Sequence, residues 1–305
     1  MNRITKKEHP EISVIMSVYN QRNAGRLKQS IMSVLEQTFR DFEFIIYSDG
    51  SDDAVLEQLK QYAGQDGRIV LLHSPQNRGL AYSLNTCIGV AGGKYLARMD
   101  DDDISVPERL AVQYEFMEAH PEISFSGSNA KLLDDSGVWG IRRMPEWPGR
   151  RDFLKYSPFI HPSIFVRRSV LEEAGDYQTG RDTWRCEDYE LFMRLWRAGC
   201  LGCNLQRELL YYREDRNAYR KRRWRYRLDE TKLRYRSFKE MKLLLPFGWC
   251  YALRPVAAGI VPPALILGIK HLYHRKEKTE ERRFAEKTEE RPMGKEASSV
   301  SKTAE

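Results

Sequence analysis

The chain has 305 residues, 41% of them hydrophobic and 30% charged, with a formal net charge of +7. That length and composition suit one large domain, or one domain with an appendage, built around a real core. Five cysteines without framework spacing exclude a secreted disulfide scaffold.

The first ten residues are polar, with no apolar stretch of the kind a signal peptide needs, so a cytoplasmic protein is expected. Ile12 to Val18 is a short apolar run suited to a strand buried on both faces. A helix follows with Leu27, Ile31, Val34 and Leu35 on one stripe. Phe42 to Tyr47 reads as a second strand. It runs into Ser48-Asp-Gly-Ser-Asp-Asp53, a loop with helix-capping chemistry, and a helix through Val55, Leu59 and Tyr62. Arg68 to His73 is a third strand. Asn77-Arg-Gly79 punctuates, a helix runs from Leu80 to Val90, and Lys94 to Met99 is a fourth strand. This alternation predicts βαβ units and an α/β fold with a mainly parallel central sheet.

The second half is less regular. The pattern predicts a helix over Pro107 to Ala119, a strand over Ile123 to Ser126 and a hairpin turn at Asp134 to Gly137. It further predicts a strand over Ser163 to Val166 and an amphipathic helix over Glu187 to Ala198. Cys200-Leu-Gly-Cys203 is a lone pair with no partner motif, and reads as ordinary thiols.

Four consecutive aspartates, Asp100 to Asp103, close the fourth strand. Adjacent carboxylates repel and raise one another's pKa, and a hard divalent cation with oxygen ligands would relieve that. Ligands of open α/β sheets bind beyond the carboxyl ends of the strands, where Asp49 and these aspartates both lie. Asp188 shares a helical face with Leu191, Phe192 and Leu195, so it is expected to point inward at a helix N-terminus. The same wheel puts Glu187 with Glu190 and Arg194, toward water. An inward carboxylate opposite a metal site suits a general base.

These residues together resemble the family 2 glycosyltransferases, inverting enzymes of the GT-A (Rossmann-like) fold. The resemblance is carried by Ser13-Val-Ile-Met-Ser-Val-Tyr-Asn20, Ser33-Val-Leu-Glu-Gln-Thr-Phe39, Ser48 to Asp53 and Asn77-Arg-Gly-Leu80. It continues through Ala97-Arg-Met-Asp-Asp-Asp-Asp-Ile104, His161-Pro-Ser-Ile-Phe165 and Cys186-Glu-Asp-Tyr-Glu-Leu191, and spans roughly residues 11–215. It implies that Val18, Tyr19, Asp49, Asn77, Arg98, Asp100 and Asp101 bind a nucleotide-sugar, with a UDP-sugar expected. It implies that Asp102 ligates Mn²⁺ or Mg²⁺ and that Asp188 is the catalytic base. His161, Trp184 and Glu187 are candidates for acceptor contacts or a lid. The implied activity moves one sugar to a glycan or lipid-linked glycan acceptor in bacterial surface-polysaccharide assembly. A degenerate, non-catalytic binder of nucleotide-sugar or glycan is the alternative.

The expected organisation is a tail (1–10), a catalytic domain (11–215, with a nucleotide-sugar half to 103), a helical extension (216–275) and a disordered tail (276–305). Arg220 to Arg227 mixes cations with aromatics, but no nucleic-acid motif accompanies it. Together with the apolar runs near Leu243 and Val256, it reads as peripheral attachment to the inner leaflet of the cytoplasmic membrane.

Overall fold

The structure, a computed structural model, describes residues 10–214 and 224–260. The expected boundaries at 215/216 and 275/276 lie outside those residues, as does the first half of the Arg220–Arg227 run. Among the described residues nine strands form one sheet: β1 (Ile12–Val18), β2 (Phe42–Asp49), β3 (Ile69–Ser74), β4 (Tyr95–Met99), β5 (Ile104–Ser105), β6 (Phe125–Asp134), β7 (Gly137–Arg142), β8 (Phe165–Arg167) and β9 (Gly202–Arg213). Their order is β3-β2-β1-β4-β8-β6-β9-β5, with β7 on β6. The first four strands pair in parallel, as the βαβ reading requires. Beyond β4 the sheet is mixed, because β8 runs antiparallel to both β4 and β6 while β9 is parallel to β6.

Alternation along the buried strands feeds two cores. Ile12, Val14, Met16 and Val18 of β1 face one side with Phe44 and Ile46, while Ile15, Ile45 and Tyr47 face the other. Helices α1 (Ala24–Leu35), α2 (Asp53–Gln65) and α4 (Arg109–Ala119) cover the first side through Leu27, Ile31, Val55, Leu59 and Leu110. Helices α3 (Leu80–Val90), α5 (Arg168–Ala174), α6 (Glu187–Arg197) and α7 (Trp224–Glu240) cover the second through Leu84, Leu171, Phe192 and Leu233. Each such side chain, fully buried, contributes about 1.5–3 kcal/mol of hydrophobic stabilisation. Helix α8 (Trp249–Ile260) packs back along α7, where Arg227 donates to the Pro255 carbonyl at 3.1 Å.

Capping chemistry sets the early helices. Asn23 Oδ1 accepts from the Arg26 N–H and Asp52 Oδ1 from the Val55 N–H, both at 3.1 Å. The buried Gln37 amide fixes the segment just after the aspartates. It donates to Ser105 Oγ and the Val106 carbonyl, while its oxygen accepts from the Leu110 N–H.

Three expectations are corrected. The strand expected over Ile123 to Ser126 starts at Phe125 and runs to Asp134. β9, the longest strand at 12 residues, has no counterpart among the expected elements. Glu190 does not face water: it is buried and paired with Arg194, whose guanidinium also reaches the carbonyls of Ala174, Gly175 and Asp176. That pairing ties α6 to the end of α5 and lets a charged side chain lie in the interior.

Candidate active site

The chain leaves β1 toward β2 on one side and returns to β4 on the other. A topological switch point therefore lies between β1 and β4, at their carboxyl ends. A cleft of about 420 Å³ opens beside it, lined among others by Tyr19, Asp49, Asn77, Asp101, Trp184 and Glu187. Residues far apart in sequence thus meet at one rim.

Asp49 ends β2 and is almost wholly buried. Its two oxygens accept the backbone N–H groups of Arg78 (2.8 Å) and Gly79 (2.9 Å), which shapes the Asn77–Gly79 loop. Gly50 follows at φ +70°, and a Cβ there would lie 2.4 Å from the Asn77 nitrogen, so the close approach needs glycine. Asn20 stands opposite at φ 48°. Its Oδ1 accepts from the Asp52 N–H at 2.9 Å, locking the end of β1 to the loop after β2. Val18 does not line the cleft. Side chains alternate along a strand, so Ser17 and Tyr19 face the cleft while Val18 is fully buried in the core.

The four aspartates divide. One carboxylate oxygen from each of Asp100, Asp102 and Asp103 falls within 4.8 Å of the others. Asp101 turns instead toward the cleft, where Gln21 donates to it at 3.3 Å. The Asp103 carboxyl is buried: Oδ1 accepts the Arg213 N–H at 2.7 Å, and Oδ2 has no hydrogen-bond partner among the described residues. Arg213 also donates to the Asp102 carbonyl at 3.1 Å, so the end of β9 holds the acidic turn. A compact set of oxygens with an unpartnered buried lone pair fits a hard divalent cation.

The electrostatics agree. Burial first, then Asp102 and Asp100, push the Asp101 carboxyl up to about 7. Burial and Asp100 push Asp102 up to about 6, and burial with both neighbours raises Asp103 well above the usual carboxylate range. Arg98 and Arg213 supply positive charge to this turn; Arg213 acts more strongly on Asp102. Arg98 is the buried one of the two. It lies beneath the site rather than in the cleft lining, and its guanidinium pairs with Asp100. Burial works against that charge, but Asp100 outweighs it. The Arg98 Nε and Nη1 are buried without a hydrogen-bond partner among the described residues.

The late helix forms the opposite wall. Arg185, at φ 70°, precedes it, a strained conformation of the kind that gathers at functional sites. Glu187 lines the cleft instead of facing water. Asp188 is half-buried in the first turn. Burial first, then Glu187, push it up to about 6 against the downward pull of backbone N–H groups. His161 is buried behind this wall, not in the cleft, with Nε2 2.7 Å from the Tyr177 hydroxyl. Burial and the charge of Arg98 lower its pKa well below the usual range, so it is a neutral packing and hydrogen-bonding group. Asn85 clamps Tyr177 through its backbone N–H (3.0 Å) and carbonyl (2.8 Å). Arg78, Tyr82 and Tyr226 also line the cleft and were not named as site residues; Arg78 lies in the Asn77-Arg-Gly-Leu80 motif and Tyr226 in the basic run, while no local pattern marks Tyr82.

A family model, glycosyl transferase family 2, matches residues 13–175. This chain belongs to glycosyl transferase family 2. It is 36% identical over 268 residues to the putative glycosyltransferase EpsE of Bacillus subtilis (strain 168), covering 88% of this chain and 94% of that one. It is 31% identical to the amylovoran biosynthesis glycosyltransferase AmsE of Erwinia amylovora, covering 72% of this chain and 83% of that one. Among solved structures, Staphylococcus aureus TarS 1-349 in complex with UDP-GlcNAc aligns with a TM-score of 0.57 at 17% identity, over 81% of each chain. The mannosyltransferase PcManGT of Pyrobaculum calidifontis, in complex with GDP-Man and Mn²⁺, aligns with a TM-score of 0.55 at 18% identity, over 89% of this chain and 84% of that one. At that identity the structural likeness speaks for the fold, which is the GT-A α/β architecture with a helical C-terminal part. The chain is thus a glycosyltransferase.

Proposed function

We propose that this glycosyltransferase moves a single sugar, with inversion, from a UDP-sugar to a hydroxyl of a glycan or lipid-linked glycan acceptor. Surface-polysaccharide assembly in the cytoplasm, at the inner leaflet of the membrane, is the proposed setting. One observation carries the chemistry: the acidic turn after β4 and the acidic start of α6 form two walls of one site.

The roles follow from position. Tyr19, Asp49 and Asn77 receive the nucleotide, with the loop that Asp49 holds closing over it. Asp101, turned into the cleft, faces the sugar or ribose. Asp100, Asp102 and Asp103 would hold a divalent cation, Mn²⁺ or Mg²⁺. When bound, such a cation supplies positive charge against which a diphosphate can leave. Arg98 sets a fixed positive charge beneath the same turn. Asp188 accepts the proton of the acceptor hydroxyl as that oxygen attacks the anomeric carbon from the face opposite the departing diphosphate. A single displacement of this kind needs no covalent intermediate. Trp184, 40% exposed on the cleft wall, offers a face on which an acceptor sugar stacks. A second assignment has Glu187 as the base, because it lines the cleft; substitution of each acid in turn separates the two.

The direct test is a thermal-shift screen of UDP-, GDP- and dTDP-sugars with Mn²⁺. A UDP-sugar should stabilise the protein by about 2–4 kcal/mol at saturating ligand. No response to any nucleotide-sugar would remove the donor reading. Asp49→Ala should weaken UDP binding about tenfold or more by freeing the Asn77–Gly79 loop. Unchanged calorimetric affinity would show that this loop does not hold the nucleotide.

A further inference from the structure

No described helix is long and apolar enough to cross a membrane. The C-terminal helical pair nevertheless exposes large apolar side chains in ordered stripes. On α7, Trp224, Leu228 and Tyr235 are each about half exposed, and spacings of four and seven residues align them on one face. On α8, Trp249 and Leu253 do the same one turn apart. Between the helices, Leu245 is 85% and Phe247 69% exposed. Apolar surface of this extent, gathered on one helical pair, marks an interaction site rather than scattered exposure.

Charge decides the partner. Met241 to Ile260 contains Lys242 and Arg254 and no Asp or Glu. The three acids of α7 are already engaged: Asp229 pairs with Arg225, Glu230 with Arg234 and Glu240 with Arg197. Lys232, Lys239 and Lys242 are exposed, with no carboxylate partner among the described residues. Exposed apolar stripes with aromatics, flanked by unpaired cations, suit a helix pair lying in the plane of an anionic bilayer.

We infer that the α7–α8 pair is an in-plane docking surface for anionic lipid, with Phe247, Trp249, Leu253, Leu228 and Tyr235 entering the interface and Lys232, Lys239 and Lys242 meeting headgroup phosphates. This deepens, and rests on, the proposal that the transferase works at the membrane. It also gives that attachment an orientation. α7 is about 25 Å long at the usual helical rise. Its first turn carries Tyr226, which lines the cleft. The last turn of α8 returns to that end, because a Cβ on Gly259 would lie 2.9 Å from the Trp224 ring. Tyr226 lies on the face of α7 opposite the Leu228–Tyr235 stripe, so a pair lying flat on the bilayer holds the cleft about one helix diameter, roughly 10 Å, from the lipid surface, within reach of a lipid-linked acceptor.

The test is co-sedimentation of the full chain with phosphatidylcholine vesicles, with and without phosphatidylglycerol. Wild type should bind the anionic vesicles, and added salt should weaken that binding. Phe247→Glu with Trp249→Glu, and separately Lys239→Glu with Lys242→Glu, should each reduce binding about tenfold or more. The Tm shift produced by UDP and Mn²⁺ should stay unchanged in both variants, which also reports that they are folded. Three outcomes would overturn the inference: wild type that fails to bind anionic vesicles; binding that survives both double substitutions; or a wild-type dimer, seen by sedimentation velocity, that the substitutions split without affecting vesicle binding. Lipid binding without any nucleotide response would leave this surface standing and refute the donor reading instead.

Discussion

Asp188→Asn should lower the transfer rate by about 10²–10⁴-fold while leaving donor affinity nearly unchanged. The amide keeps the shape of the side chain and its place in the first turn of α6, but cannot take a proton. Single-turnover transfer and calorimetric donor binding, measured on the same sample, check both halves. Wild-type activity should fall as the pH drops through about 6, where burial and Glu187 have placed this carboxyl. The variant should lose the part of that limb owed to Asp188, keeping only what the acidic turn contributes. Glu187→Gln sharpens the assignment. Removing the neighbouring negative charge lowers the Asp188 pKa, so the acidic limb should move to lower pH with a smaller loss of rate. If Glu187→Gln instead abolished transfer and Asp188→Asn did not, Glu187 would be the base.

The sign for stability is opposite to that for activity. A carboxyl whose folded pKa is raised favours the folded state below its unfolded pKa of about 3.9, and that contribution is lost as pH rises through the folded value. Asp188→Asn should therefore melt at or above the wild-type temperature at pH 8. A large drop in Tm there would mean that the ionised carboxylate is a structural anchor.

The second large effect is expected at the acidic turn. Asp102→Ala and Asp103→Asn should each weaken Mn²⁺-dependent nucleotide binding about a hundredfold or more, whereas Asp101→Asn should leave metal affinity within about tenfold. The contrast follows from geometry, since the oxygens of Asp100, Asp102 and Asp103 converge and Asp101 turns away. Asp103→Asn should also raise the Tm of the metal-free protein, because it replaces a buried carboxyl crowded by the partly exposed Asp100 and Asp102. Calorimetric titration with Mn²⁺ and UDP gives the first result, and melting in a chelator gives the second. An Asp103→Asn variant with wild-type metal affinity would exclude that side chain from the cation site.

The parallel half of the fold was legible because its strands are short and apolar and alternate with helices, the first two of them capped by Asn23 and Asp52. Ile12 to Val18 and the stripe at Leu27, Ile31, Val34 and Leu35 carry strong periodic signals, and the structure follows them. β9 was not legible. Its sequence, Gly-Cys-Asn-Leu-Gln-Arg-Glu-Leu-Leu-Tyr-Tyr-Arg, alternates poorly because its register against β6 shifts near Asn129. The consequence reaches the site, since the partner of Asp103 is Arg213 at the end of β9, 110 residues away. Local pattern marks four aspartates but cannot sort them; a backbone N–H arriving from a distant strand does. The helical wheel likewise placed Asp188 inward, yet missed that Arg194 draws Glu190 inside and that the cleft reaches Glu187.

One measurement bears most directly on the central claim. Proton NMR of the first sugar released from an α-linked UDP-hexose, by transfer or by slow hydrolysis in the presence of Mn²⁺, reads the anomeric configuration before mutarotation. The two-walled site predicts a β-configured product, and its formation should collapse in Asp188→Asn. An α-configured product, or release that persists in that variant, would contradict a single displacement assisted by Asp188.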